Sequence, residues 1–150
     1  LIRNARLEDI PSIHTLINSH AERGRMLFRS QANLYESLRD FKLYEQEGEI
    51  VGCCSLQIIW SNLAEVKSLA VSDKYHGLGI GKALVEAVVA EARELHLPEI
   101  FTLTLEKGFF EKIGFVQIPM DSLPMKVWSE CIHCHKQDNC DEIAMTLDLS

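Results

Sequence analysis

The sequence predicts a mixed α/β domain. Two observations carry that expectation. Apolar residues switch between strand spacing and helix spacing along the chain, and a glycine-rich segment leads from a β-prone run directly into a long amphipathic helix, after which the chain returns to another β-prone run. The element order is β-α-α-β-β-β-α-β-α-β, a central hairpin meander followed by one strand-helix-strand crossover. No repeat, linker or low-complexity stretch divides the chain, and its 150 residues fit one domain over 1–150 that buries about 68–70% of its unfolded surface.

Leu1 to Arg6 reads as an opening strand. Asp9 offers an N-cap, Pro11 suits a first helical turn, and Ile10, Ile13, Leu16 and Ile17 are spaced for one buried face, so a helix runs to about Ala21. The basic, aperiodic stretch Arg23-Gly24-Arg25-Met26-Leu27-Phe28-Arg29-Ser30 reads as a loop before a short helix around Leu34 to Leu38. Phe41 to Glu45 and Ile50 to Trp60 flank the turn signal Glu47-Gly48-Glu49 and read as a hairpin. Ala64 to Val71 is the next strand. Leu84, Val85, Val88, Val89, Ala92 and Leu95 then recur at helical spacing, giving a long helix to about His96 that Pro98 ends. Ile100 to Leu105 is a short strand, Phe109 to Ile113 a helix stopped by Gly114, and Ile143 to Leu149 a last strand.

Apolar residues at 47% and charged residues at 25% lie near the globular average, which excludes disorder, collagen and coiled coil. Asp and Glu number 22 against 15 Lys and Arg, and a formal charge of -7 excludes broad electrostatic attraction to nucleic acid or an anionic membrane. Any polyanionic ligand must be held locally. No apolar run approaches the roughly 18 residues of a membrane span. The start Leu1-Ile2-Arg3-Asn4-Ala5 lacks a signal-peptide pattern, so a soluble cytoplasmic protein is expected. An odd count of five cysteines in such a chain argues against a disulfide framework.

The strand Ala64 to Val71 runs into Ser72-Asp73-Lys74-Tyr75-His76-Gly77-Leu78-Gly79-Ile80-Gly81-Lys82 and then into the long helix. Three glycines at alternate positions leave the backbone unshielded. Their N–H groups, together with the free donors and positive dipole end of the helix, can surround phosphate oxygens without help from net charge. A glycine-rich turn with no ligand is the plainer alternative. The spacing is neither the G-x-G-x-x-G dinucleotide fingerprint, which needs a glycine where Lys82 stands, nor a nucleotide P-loop.

His76-Gly77-Leu78-Gly79-Ile80-Gly81 after Ser68-Leu69-Ala70-Val71 resembles the acetyl-CoA pyrophosphate loop of the GNAT acetyltransferases. In that family an Arg or Gln usually stands where His76 does. Phe109-Phe110-Glu111-Lys112-Ile113-Gly114-Phe115 resembles the same superfamily's downstream segment, at the expected distance. The resemblance implies the GNAT acyl-CoA N-acyltransferase fold, an α/β fold with a mixed sheet, and acetyl-CoA as cosubstrate. It implies that the backbone of Leu69, Ala70 and Val71 holds the pantetheine arm. His76 and Gly77 then open the phosphate loop, the amides of Leu78, Gly79, Ile80, Gly81 and Lys82 hold the pyrophosphate, and Phe110 stands where many relatives place a tyrosine beside the cofactor.

Within the superfamily, Met26-Leu27-Phe28-Arg29-Ser30, Ile50-Val51-Gly52-Cys53, Ala64 to Val71 and the double Phe109-Phe110 make the chain similar to the acetyltransferase domain of the N-acetylglutamate synthases. That resemblance implies a small-molecule amine acceptor, glutamate, and a place in arginine biosynthesis. Arg29 matches the arginine that grips the acceptor, Cys53 matches a residue lining that pocket, and Lys126 is the candidate for a second acceptor cation. Phe28 departs from the usual proline. The synthases commonly carry an amino-acid-kinase domain as well, so a short stand-alone form without its arginine feedback site is expected. Similar domains are often dimers, which makes a homodimer the implied assembly.

Acyl transfer from a thioester to an amine needs little covalent chemistry from the protein. The expected mechanism is direct attack in a ternary complex, with the Leu69 N–H polarising the thioester carbonyl. Glu65 is the candidate base, because it lies four residues before Leu69 and, by simple alternation, on the same strand face; a strand-edge surface glutamate is the alternative. Phe110 cannot donate a proton, so Tyr75 or water protonates the thiolate, or the thiolate leaves unassisted.

Cys131, Cys134 and Cys140, with His133 and His135 between them, put three thiols and two imidazoles within the segment 131–140, a ligand set for structural zinc or else three reduced thiols in a surface loop. His14, His20 and His96 sit in helical patterns and need no function. Three classes are therefore in view. The first is a transferase acting on an amino acid, with another small amine or a protein N-terminus as the next acceptor. The others are a non-catalytic acetyl-CoA sensor and a metal-binding interaction module built on the cysteine segment.

Overall fold

The turn Glu47-Gly48 sets the first register of the sheet. Both residues have positive φ, 52° and 78°, the conformation of a two-residue type I′ hairpin whose twist matches that of its strands. Gln46 accordingly pairs with Glu49 across it. This computed structural model describes residues 1–123 and 142–150. Along the chain they form β1 (Ile2–Asn4), α1 (Ile10–Ala21), α2 (Gln31–Glu36), β2 (Phe41–Gln46), β3 (Glu49–Trp60), β4 (Leu63–Val71), α3 (Ile80–Glu94), β5 (Glu99–Thr104), α4 (Lys107–Ile113), β6 (Val116–Ile118) and β7 (Ile143–Asp148). The sheet order is β1-β2-β3-β4-β5-β7-β6. Among the described residues β4 and β5 are the one parallel pair, as the crossover through α3 requires. The expected mixed α/β architecture is present.

The sheet is covered on both faces. On one, Val51, Cys54, Leu56, Ala64 and Val66 pack against Ile80, Leu84, Val85, Val88 and Ala92 of α3 and against Phe110 of α4. On the other, Leu43, Cys53 and Ala70 pack against Ile10, Ile13, Leu16 and Ile17 of α1 and Leu34 of α2. Adjacent Cys53 and Cys54 thus point to opposite layers, as strand alternation demands. Gly52 lets α3 approach β3. A Cβ there would lie 2.9 Å from Leu84 Cδ1 and 3.2 Å from Ile80 Cγ2.

Two local expectations are corrected, and one strand is added. Asp9 does not cap α1 through its side chain. It closes a 3₁₀ turn, Leu7–Asp9, where its carboxylate accepts from the Arg6 N–H at 2.8 Å and from Arg3 Nη1 and Nη2 at 2.8 and 3.0 Å. A buried carboxylate facing an arginine fork is better satisfied there than at the helix end. The long helix stops at Glu94, and His96 stands at φ 61°, outside helical space. The short strand β6 lies in a stretch too brief to show a period, and it forms because β7 offers it a partner.

Candidate active site

The site begins where two strands part. β4 and β5 are paired at Ala64–Ile100 and Glu65–Phe101, and Thr102 Oγ1 then reaches across to the Val66 carbonyl at 2.8 Å. Beyond that point the strands diverge and open a cavity of about 1080 Å³, lined on one side by Glu65 to Val71 and on the other by Thr102 to Glu106. A wedge between parallel strands leaves main-chain groups of β4 without a strand partner, which suits an arm bearing amides.

β4 carries a bulge inside this wedge. Cys53 pairs with Ala70 and Ser55 with Lys67, so Cys54 of β3 lies opposite both Ser68 and Leu69 of β4, and Ser68 stands at φ 57°. The extra residue reverses the alternation. Ala64 and Val66 face the α3 layer, Ala70 faces the α1 layer, and Leu69 and Val71 return to the α3 side. The expectation that Glu65 and Leu69 share a face by counting is therefore overturned. Both residues still line the cavity, and Glu65 is buried at 4% exposure.

The glycine loop stands at the mouth. Gly79 takes φ 82° as the residue before α3, a left-handed conformation that brings the chain into the helix without steric cost. His76, Gly77, Gly79, Ile80, Gly81 and Lys82 all line the cavity. The 15 residues of α3 point their positive end at it. Tyr75 and Phe110 both line the cavity, Phe110 with its ring edge-to-face between Phe109 and Phe115 at 5.0 and 5.1 Å and only 3% exposed.

On the α1 side of the wedge the loop after α1 supplies Arg29. Asn18 clamps its backbone, accepting from the Arg29 N–H at 3.0 Å and donating to its carbonyl at 3.1 Å. The guanidinium lies 5.2 Å over the Phe41 ring and donates from Nη1 to Ser68 Oγ at 2.8 Å and from Nε to Asn33 Oδ1 at 2.7 Å. Cys53 does not line the cavity. It is fully buried under the bulge, its thiol 3.3 Å from the Ser68 carbonyl, and burial pushes that thiol up to about 12. Lys67, which the sequence reading passed over, does line the cavity and donates from Nζ to Gln57 Oε1 at 3.0 Å. Asp40 faces both cations. Burial raises its pKa, and the nearby charges of Arg29 and Lys67 act against that rise.

His20 is the second residue missed. Arg25 Nη1 donates to its Nδ1 at 3.1 Å, and an arginine can only donate, so the ring proton sits on Nε2 and points at the Val71 carbonyl, 2.9 Å away. His76 Nε2 meets the same carbonyl at 2.9 Å, with the two rings 6.3 Å apart. Ser72 N–H bonds the Val51 carbonyl, which leaves the preceding residue, Val71, with its polar groups aimed at the wedge. Two imidazoles thus occupy the Val71 carbonyl, and its N–H is the group offered to a ligand. Asp73 joins the cluster through Arg23 and Arg25. His20, Asp73 and His76 are the one group with metal-ligand chemistry among the described residues. Their nitrogens already serve the carbonyl and Arg25, and two guanidiniums share the carboxylate, so the donor set does not suit a cation. Lys126, Cys131, Cys134 and Cys140, including the expected zinc ligands, lie outside the described residues.

Comparison with known proteins decides the family. The model of the Acetyltransferase (GNAT) family matches residues 8–115. The chain belongs to the GNAT acetyltransferase family. As such it is an acetyl-CoA-dependent acetyltransferase. The acetyltransferase is 40% identical over 148 residues to an uncharacterized N-acetyltransferase of Chlorobaculum tepidum, covering 99% of this chain and 96% of that one. It is 35% identical to an amino-acid acetyltransferase of Mycobacterium tuberculosis, over 100% of this chain and 85% of that protein. Its fold superposes on an N-acetylglutamate synthase from Neisseria gonorrhoeae, complexed with coenzyme A and N-acetyl-glutamate, with a TM-score of 0.90 at 26% identity, over 100% of this chain and 35% of that one. No helix among the described residues of the acetyltransferase is long and apolar enough to cross a membrane.

Proposed function

We propose that this acetyltransferase moves the acetyl group of acetyl-CoA to the α-amine of a free amino acid, glutamate, the acylation that opens arginine biosynthesis. The observation that carries the reading is the Arg29 guanidinium, held on Ser68 Oγ at 2.8 Å, one residue before Leu69 in the wedge. It offers a rigid cationic fork for a carboxylate beside the place where the amine must react. The names of the relatives, amino-acid acetyltransferase and N-acetylglutamate synthase, support the same acceptor class.

In the proposed reaction the amine attacks the thioester carbonyl carbon, the carbon–sulfur bond breaks, and the acetyl group leaves as an amide on nitrogen. The Leu69 N–H stabilises the developing oxyanion. Glu65 removes the ammonium proton through water. Tyr75, at the cavity mouth, gives a proton to the departing thiolate and is reprotonated through solvent by the second proton that the nitrogen loses as the amide forms. Leu69, Ala70 and Val71 hold the pantetheine arm, and Gly77 to Lys82, with His76 at the loop's start, hold the pyrophosphate. The proposed assembly is a homodimer, which light scattering tests directly.

The test is thiol release from acetyl-CoA across a panel of free amino acids and of peptides with free N-termini. Glutamate is expected to give the highest kcat/KM, and Arg29→Ala to lower it about 100-fold while acetyl-CoA still binds. Turnover confined to peptide N-termini, or Arg29→Ala with unaltered glutamate turnover, sinks the assignment.

A further inference from the structure

An arm that enters at the glycine loop and runs back along β4 passes Val71, then Leu69, and its acyl end meets the place where β4 and β5 rejoin. We infer that Thr102 closes that floor and limits this enzyme to the two-carbon acyl group, excluding propionyl and longer chains; this rests on the reading that lays the arm along β4 with its thioester at the Leu69 N–H.

Both strands build the floor. Thr102 Oγ1 donates to the Val66 carbonyl at 2.8 Å, both residues line the cavity, and Thr102 is only 3% exposed. Behind it β5 is fixed, because Thr102 pairs with Met145 of β7. The bulge draws this floor towards Leu69. Lys67 to Ala70 of β4 span the two steps from Ser55 to Cys53 of β3, about 7 Å, where three regular steps would take about 10 Å. That shortening of about 3 Å is twice a carbon–carbon bond of about 1.5 Å, so it decides whether one more methylene fits. The backbone on the way is already satisfied. Ser55 Oγ donates to the Lys67 carbonyl at 2.9 Å and Cys53 Sγ to the Ser68 carbonyl at 3.3 Å, both from β3, while Thr102 takes the Val66 carbonyl. A methyl group seated there leaves none of these three carbonyls without a donor.

Thiol release from acetyl-, propionyl- and butyryl-CoA, measured with the best acceptor of the panel above, tests the inference. The ratio of kcat/KM between two donors is independent of the fraction of enzyme that is folded. Wild type is expected to favour acetyl over propionyl by about 10- to 200-fold, and butyryl to fare worse. Thr102→Ala is expected to narrow the acetyl-to-propionyl ratio about tenfold, and Thr102→Ser, which keeps the bridging hydroxyl, to stay within about threefold of wild type. Calorimetric titration with coenzyme A checks the site, and Thr102→Val, which loses the bridge at similar volume, replaces Thr102→Ala if that variant fails the check, with the same outcome expected. Wild type that uses propionyl-CoA as well as acetyl-CoA overturns the inference. So does a ratio unchanged without the bridge, or a Thr102→Ser enzyme as permissive as Thr102→Ala. Amide proton spectra recorded with coenzyme A separate this from the reading beneath it. Leu69 and Val71 N–H resonances that coenzyme A leaves unmoved overturn both, whereas shifted resonances with an unchanged ratio overturn the role of Thr102 alone.

Discussion

The Nε2–H of His20 donates to the carbonyl oxygen of Val71 at 2.9 Å, across 51 residues of sequence. The bond ties the last turn of α1 to the end of β4 where the glycine loop begins. Burial, the largest effect, holds the His20 pKa below the ordinary histidine value, and the charges of Arg25, His76 and Arg23 act the same way against the pull of the carbonyl.

A pH dependence follows. Because the folded state disfavours the imidazolium, His20 lends its stability above the unfolded pKa of about 6.5, and that contribution is lost as pH falls from there through the folded value. Thermal unfolding from pH 8 to 5 is expected to show a steeper loss for wild type than for His20→Gln, which keeps a donor for Val71 but does not titrate. Parallel curves count against this role.

Glu65→Gln tests the proposed base. Removing a general base costs about 10²–10⁴-fold in kcat, and the acidic limb of the kcat/KM profile disappears with it. Tyr75→Phe tests the proposed acid in the same way, through kcat. A Glu65→Gln enzyme within about tenfold of wild type has its base elsewhere.

The Arg3–Asp9 pair anchors β1 to the start of α1. Arg3's hydrogen bonds, aided by the Arg6 N–H, hold the Asp9 carboxyl below the usual range against the effect of burial. Its stabilisation is thus present above about pH 4 and fades as pH falls through the folded pKa. Asp9→Asn is expected to cost about 2 kcal/mol in urea unfolding at pH 7, with the gap to wild type narrowing in acid.

Gly52→Val puts methyl groups where even a Cβ would meet Leu84 at 2.9 Å. Overpacking of this kind costs about 1–3 kcal/mol. Because Ile80 and Leu84 belong to the first turns of α3, the KM for acetyl-CoA is expected to rise with the loss of stability, and Gly52→Ala to do less of both.

Much of this protein is local and was therefore readable. The apolar spacing of Leu84 to Ala92, the hairpin signal at Gly48 and the glycines of 77–81 each act within a few residues, and each forms what its spacing predicts. Cys53 was readable as a core residue. That it supports Ser68 from beneath rather than lining the cavity depends on which layer covers it.

Spacing along the chain was enough for every element except β6 and for the strand–loop–helix unit with its glycines. Tertiary structure alone decided how these face one another. A bulge is a mismatch between two strands, and nothing in Ser68 announces a positive φ. Counting by twos along β4 therefore put Glu65 and Leu69 on one face and left Lys67 unnoticed. Likewise His20 looked like any last-turn helix residue until packing brought Val71, His76 and Arg25 to its ring. Periodicity is a property of one segment. The side-chain parity after a bulge and the partner of a buried imidazole belong to pairs of segments, and packing sets them.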